Sequence, residues 1–176
     1  MPSSAMIIRE VKPSDFGDIV DMFYSFFPEV EADPGFGLLL YNDKPDMEGE
    51  RKWFDNTLTT IKEGNIIMMV AEVDSHVVGN SQVRRHRPNT PADHRGELGL
   101  CVRKEFRGKG IGEALMRATI DKARGRFDII ELTVMTNNKG AKKLYEKLGF
   151  RTYGTRRYAV KRAGRYFDEY LMNLKL

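Results

Sequence analysis

Hydrophobic positions recur with two different periods along the chain, and the switches between them predict alternating strands and helices. Residues 6–11 alternate well enough for a first strand. Pro13-Ser-Asp15 then starts a helix with Phe16, Ile19, Val20, Phe23, Phe26 and Phe27 on one face. Pro34, Gly35, Gly37 and Pro45 break regular structure over 29–46, around an apolar knot at 36–41. Apolar residues in a loop either fold back on the core or line a pocket. A second helix over 48–62 carries Trp53, Phe54, Leu58 and Ile61 and ends at Gly64. The run 65–73 reads as a mostly buried strand, 74–76 as a turn and 77–83 as its hairpin partner. A basic, proline-bearing excursion over 84–95 returns into Glu97.

The second half begins with a short apolar strand over 98–102. Gly108, Gly110 and Gly112 follow at alternate positions, directly before a helix over 112–124. That helix is apolar on much of its circumference, through Ile111, Ala114, Leu115, Met116, Ala118, Ile120 and Ala123, so it needs cover on more than one side. A strand over 128–135 comes next. Asn137 or Asn138 caps a further helix that runs to Leu148 and stops at Gly149. Residues 150–159 and 166–174 form a final antiparallel pair. A helix crossing between the strands at 98–102 and 129–135 makes those two parallel.

Composition limits the alternatives. With 176 residues, 41% hydrophobic and 31% charged, the chain fits one compact domain, 6–176, behind a polar leader at 1–5 expected to be disordered. One cysteine forms no internal disulfide, and neither a membrane-spanning apolar run nor a signal-peptide pattern is present. The expectation is a soluble, cytoplasmic protein with no membrane partner. His76, His86 and His94 lack metal spacing, so no metal site is expected. Oligomeric state is left open, a homodimer included.

The glycine loop carries the chemistry. Removing side chains ahead of a helix exposes backbone N–H groups, and the helix start adds about half a positive charge, a combination that holds a pyrophosphate. Arg107 and Lys109 add positive charge. A nucleotide triphosphatase loop needs Ser or Thr after Gly-Lys, and Gly110 stands there. A dinucleotide fingerprint needs another glycine spacing, although Asp128 and Glu131 lie about 20 residues on. A glycine-rich turn without a ligand is the remaining alternative.

The pattern Arg107-Gly-Lys-Gly110-Ile-Gly112 after an apolar strand resembles the acetyl-CoA pyrophosphate loop of the GNAT superfamily of N-acetyltransferases. A second matching block follows in Leu132-Thr-Val134, Asn138, Ala141 and Leu144-Tyr145-Glu-Lys-Leu-Gly149-Phe150. The resemblance is clear over 70–150 and looser at the ends. It implies an α/β fold with a central, mostly antiparallel sheet flanked by helices, in which one parallel strand pair splays apart and admits the pantetheine arm. It implies further that the backbone of Leu100, Cys101 and Val102 pairs with pantetheine amides. Arg107, Gly108, Lys109, Gly110, Ile111, Gly112 and Glu113 would hold the pyrophosphate, chiefly through main-chain N–H groups. Asn138 would contact the cofactor, and Tyr145 would stand near the thioester sulfur.

The implied reaction is direct attack of an amine on the acetyl carbonyl of acetyl-CoA. Tyr145 would protonate the departing thiolate, and Glu97, directly or through water, would take the proton of the amine. Cys101, mid-strand with no histidine near it, reads as a small buried residue rather than a nucleophile. Acidic residues outnumber basic ones over 29–55, which favours a cationic acceptor such as a polyamine, another small amine or a protein amino group. Basic residues over 147–165 stand without an acid, and either attract CoA phosphates or form a solvated face. The competing class is a nucleic-acid-binding module on an acyltransferase-like shape, suggested by the net charge of +4. It lacks interleaved aromatics for base stacking.

Overall fold

A strand apolar on both faces needs helices on both sides, and β2 (Ile66–Val73) is such a strand. Ile66, Met68 and Val70 point to one side, Ile67, Met69 and Ala71 to the other. The computed structural model describes residues 5–176. Ala5 is exposed and outside regular structure, and the rest of the expected leader lies outside the described residues.

On the first side pack α1 (Phe16–Ala32) and α2 (Met47–Lys62), through Phe16, Ile19, Val20 and Phe54. α3 (Ile111–Ala123) and α4 (Lys139–Lys147) contribute Met116, Ile120 and Tyr145 to the core on the other side. Ile111 and Leu115 of α3 belong to a further cluster with Met69 and Val78, so α3 is covered over much of its surface, as its sequence requires. The end of α1 differs from the sequence reading. α1 runs through Pro28 to Ala32, taking in the start of the predicted loop. A proline removes only one backbone donor, and the last turns are held by buried Phe26 and by an ion pair from Glu29 to Arg107.

The remaining strands are β1 (Ile7–Glu10), β3 (His76–Arg85), β4 (Arg95–Val102), β5 (Ile129–Met135), β6 (Arg151–Arg162) and β7 (Arg165–Lys175). They form one sheet in the order β1-β2-β3-β4-β5-β7-β6, antiparallel except between β4 and β5. That parallel pair is short. Only Arg95, Gly96 and Glu97 are in register with Ile129, Ile130 and Glu131. Beyond Glu97 the strands diverge, leaving the facing backbone edges of β4 and β5 without a strand partner.

Candidate functional site

The divergence of β4 and β5 opens a cavity of about 690 Å³. Leu100, Cys101 and Val102 form one wall, Thr133 and Val134 the opposite one, and Asn138, Ala141, Leu144 and Tyr145 of α4 close the far side. At its outer end stand Gly108, Gly110, Gly112 and Glu113. Gly110 is the N-cap of α3 with φ 80°, and Gly108 has φ 73°. Both are left-handed conformations that side-chain-bearing residues rarely adopt. No side chain caps α3, and the first intrahelical bond is the one Ala114 N–H donates to the Gly110 carbonyl. The N–H groups of Ile111, Gly112 and Glu113 therefore lack intrahelical partners, the arrangement by which helix starts can bind anions.

The charged residues of the loop behave differently from the sequence expectation. The Arg107 guanidinium donates to both carboxylate oxygens of Glu29, at 2.6 and 2.8 Å, and through Nε to the Val102 carbonyl at 2.8 Å. Its charge is spent on tying α1 to the end of β4. Lys109 is exposed, with its ammonium 5.2 Å from the Phe106 ring, and does not line the cavity. The Ile111 side chain is buried in the core, which leaves only its backbone for a ligand. Hydrogen bonds from Lys147 at 2.6 Å and Arg117 at 2.8 Å hold the Glu113 carboxyl below the usual range and fasten α3 to α4. Asn138 accepts from Ala141 N–H at 3.1 Å as the cap of α4 while also lining the cavity.

Tyr145 is 8% exposed, packs at a tilt on Phe150 and makes no side-chain hydrogen bond among the described residues. Burial pushes its phenol up to about 12, so the hydroxyl keeps its proton throughout the neutral range and can only donate. Cys101 donates its S–H to Asn80 Oδ1 at 3.2 Å, and burial pushes the thiol up to about 11. It is held as a thiol, not a thiolate. The structure does not bring Glu97 into the cavity. Its side chain is exposed, on the same sheet face as Cys101 but four residues back, roughly 13 Å at 3.3 Å per residue. Between them stands Gly99, where a Cβ would meet the Gln82 side chain at ordinary contact distance.

Sequence reasoning did not place the segment over 33–38 or Asn137. This segment overlaps the start of the apolar knot at 36–41, and it roofs the cavity with Gly35, Phe36, Gly37 and Leu38. Asn137 donates to the Gly35 carbonyl at 2.9 Å. A Cβ on Gly37 would lie 2.4 Å from the Asn138 amide, so a glycine is required by close approach. Arg162, from the basic segment, donates to the carbonyls of Phe36 and Leu38 and straps the roof to β6. Lys147 pairs with Glu113, and Arg156 with buried Glu169.

A second cavity, of about 620 Å³, lies on the α1 and α2 face of the sheet. Its walls include Ile19, Met22 and Phe23 of α1, Glu50 and Trp53 of α2, Asn80 and Gln82 of β3, and Cys101. Cys101, near the end of β4, lines both cavities. Three acids of the 29–55 segment are committed elsewhere: Glu29 to Arg107, Asp46 to the cap of α2, Glu48 to Lys52. Glu50 is the acid that faces the cavity, 5% exposed, and burial raises its carboxyl above the ordinary range.

Comparison with known proteins gives a consistent picture. A family model described as the acetyltransferase (GNAT) family matches residues 19–150. The L-amino acid N-acetyltransferase AaaT of Escherichia coli is 37% identical over 110 residues, 61% of this chain and 67% of that protein. An L-methionine sulfoximine/L-methionine sulfone acetyltransferase of Pseudomonas aeruginosa is 27% identical over 139 residues, covering 78% of this chain and 79% of its own. Among solved structures, an acetyltransferase of the GNAT family from Streptococcus pneumoniae superposes with a TM-score of 0.82 at 25% identity, over 98% of this chain and 100% of the other. The yncA protein of Salmonella typhimurium, solved with its cofactor acetyl-CoA, gives 0.83 at 21% identity over 98% and 95%.

Proposed function

The chain belongs to the GNAT family of acetyltransferases and uses acetyl-CoA as its cosubstrate, and from that premise we propose that it acetylates a small, positively charged primary amine that enters through the second cavity. The observation that carries this reading is that Cys101 lines both cavities, the first of which Tyr145 also lines. A donor held between β4 and β5 would present its thioester there to a nitrogen arriving from the α1 and α2 side. The relatives named for amino acid acetylation favour a small acceptor over a protein amino group.

The amine must be neutral to attack. An alkylamine of pKa about 10.4 is neutral in only about one molecule in 2,500 at pH 7, so a base has roughly 4.6 kcal/mol to recover. Glu97, reached across Gly99 through water, is proposed to accept that proton. The nitrogen lone pair then bonds to the carbonyl carbon, the C–S bond breaks, and the sulfur receives a proton from the Tyr145 hydroxyl. The excess proton on the new amide nitrogen leaves by the water path and restores Tyr145, so the ammonium gives up two protons in all, one to Glu97 and on to solvent and one to sulfur. The main-chain N–H groups of 111–113 are proposed to bind the pyrophosphate, and Asn138 to help seat the cofactor.

An acceptor screen read by thiol release tests the activity. Glu97→Gln then tests the base: with an alkylamine, turnover should fall strongly near pH 7 and progressively less towards pH 9 to 10, where the amine handicap shrinks by about 1.4 kcal/mol per unit. A defect that stays constant across that range would remove Glu97 from the mechanism.

A further inference from the structure

The second cavity carries one inference further, and it rests on the reading that the amine enters there. Glu50 Oε1 and Gln82 Oε1 both lie buried without a hydrogen-bond partner, and both residues line this cavity. Such acceptors are costly to leave unmade. They come from different elements, α2 and β3, and a group able to satisfy both must be rich in donors. An ammonium offers three N–H donors and no acceptor.

The remaining surface has a different character. Ile19, Met22, Phe23 and Leu40 form apolar walls, and at the mouth stand Leu39, Tyr41 and Trp53 with 61%, 68% and 36% of their surface exposed. Large apolar side chains exposed together mark a surface meant to be covered. Among the described residues that line the cavity there is no lysine, arginine or histidine. An acceptor carboxylate would therefore arrive beside Glu50 without a counter-charge, and like charges in a site of low polarity repel strongly.

We infer that this cavity selects primary amines with an apolar body, aromatic or branched aliphatic, and no carboxylate on the carbon bearing the nitrogen, and that Glu50 with Gln82 seats the ammonium. Free amino acids are disfavoured because they bring an anion to an anion. Polyamines are disfavoured because a second cation would have to lie against apolar walls.

The test compares phenethylamine with phenylalanine, isoamylamine with leucine, and both amines with spermidine, at fixed acetyl-CoA. Each monoamine should exceed its amino acid at least about tenfold in kcat/KM, equivalent to about 1.4 kcal/mol, and should also exceed spermidine. Glu50→Gln, which keeps the shape, should raise KM for phenethylamine about tenfold and narrow its lead over phenylalanine. Acetyl-CoA affinity measured by calorimetry should not change. Amino acids that match or exceed their amines in the native protein overturn the inference, as does a Glu50→Gln protein that keeps the full lead or loses acetyl-CoA binding. Thiol release with none of these compounds, beside intact acetyl-CoA binding, overturns the amine-acceptor reading itself and this inference with it.

Discussion

At the scale of single residues, the site depends on side chains whose roles are set by what surrounds them. Tyr145 has its phenol raised to about 12 by burial, so it donates a proton and never removes one near neutrality. A thiolate of pKa about 8.5 would be left to depart unaided in Tyr145→Phe, and help of this kind is worth about 10² to 10⁴ in rate. Turnover should fall within that range while acetyl-CoA affinity holds, and the native enzyme should show no falling limb from this group between pH 8 and 10. A limb in that interval that vanishes in Tyr145→Phe would contradict the raised pKa. Tyr145 and Asn138 were legible because their neighbours form a contiguous block with family character. Glu50 and Gln82 were not, since each reads in sequence as an ordinary polar position, and only the packing of α2 over β3 brings them to one cavity. The partner of Arg107 was hidden for a similar reason: Glu29 lies 78 residues away.

At the scale of elements, the strand-loop-helix unit from β4 into α3 was recognisable from glycine spacing alone, because left-handed backbone and uncapped N–H groups leave a mark in the residue types. Gly110→Leu faces two obstacles: a side chain in the anion space and a φ of 80° that it tolerates poorly. Acetyl-CoA binding should be lost in calorimetry, with the far-ultraviolet dichroism of a folded chain retained. Unchanged affinity would remove the loop from the cofactor site. The roof over 33–38 was only half legible. Its apolar residues signalled a purpose, but the bonds from Asn137 and Arg162 that fix it depend on contacts across more than 100 residues.

At the scale of the whole molecule, the parallel direction of β4 and β5 followed from the helix that crosses between them, whereas the place of β7 between β5 and β6 and the extension of α1 through Pro28 depended on tertiary packing. Stability shows the cost of the second cavity. The Glu50 carboxyl is raised by burial, so the folded state holds its proton more tightly than the unfolded chain, where the carboxyl titrates near 4.3. Its unfavourable contribution is absent below that value and grows as pH rises through the raised pKa. The midpoint of thermal unfolding for Glu50→Gln should therefore gain on the native protein between pH 4 and pH 7. A constant difference over that interval would mean that Glu50 titrates normally. Stability and amine recognition thus pull in opposite directions at this one side chain.

The parallel pair that ends after three residues has a further consequence. A sheet interior normally shields its amide hydrogens from solvent, yet along the diverging edges of β4 and β5 they face open space in the middle of a seven-stranded sheet. Acetyl-CoA seated there would act as a short surrogate strand. Deuterium uptake in 98–102 and 132–135 should accordingly be fast in the free protein and slow once the cosubstrate is bound, with little change at β1. Equal uptake in both states would show that the ligand does not complete the sheet.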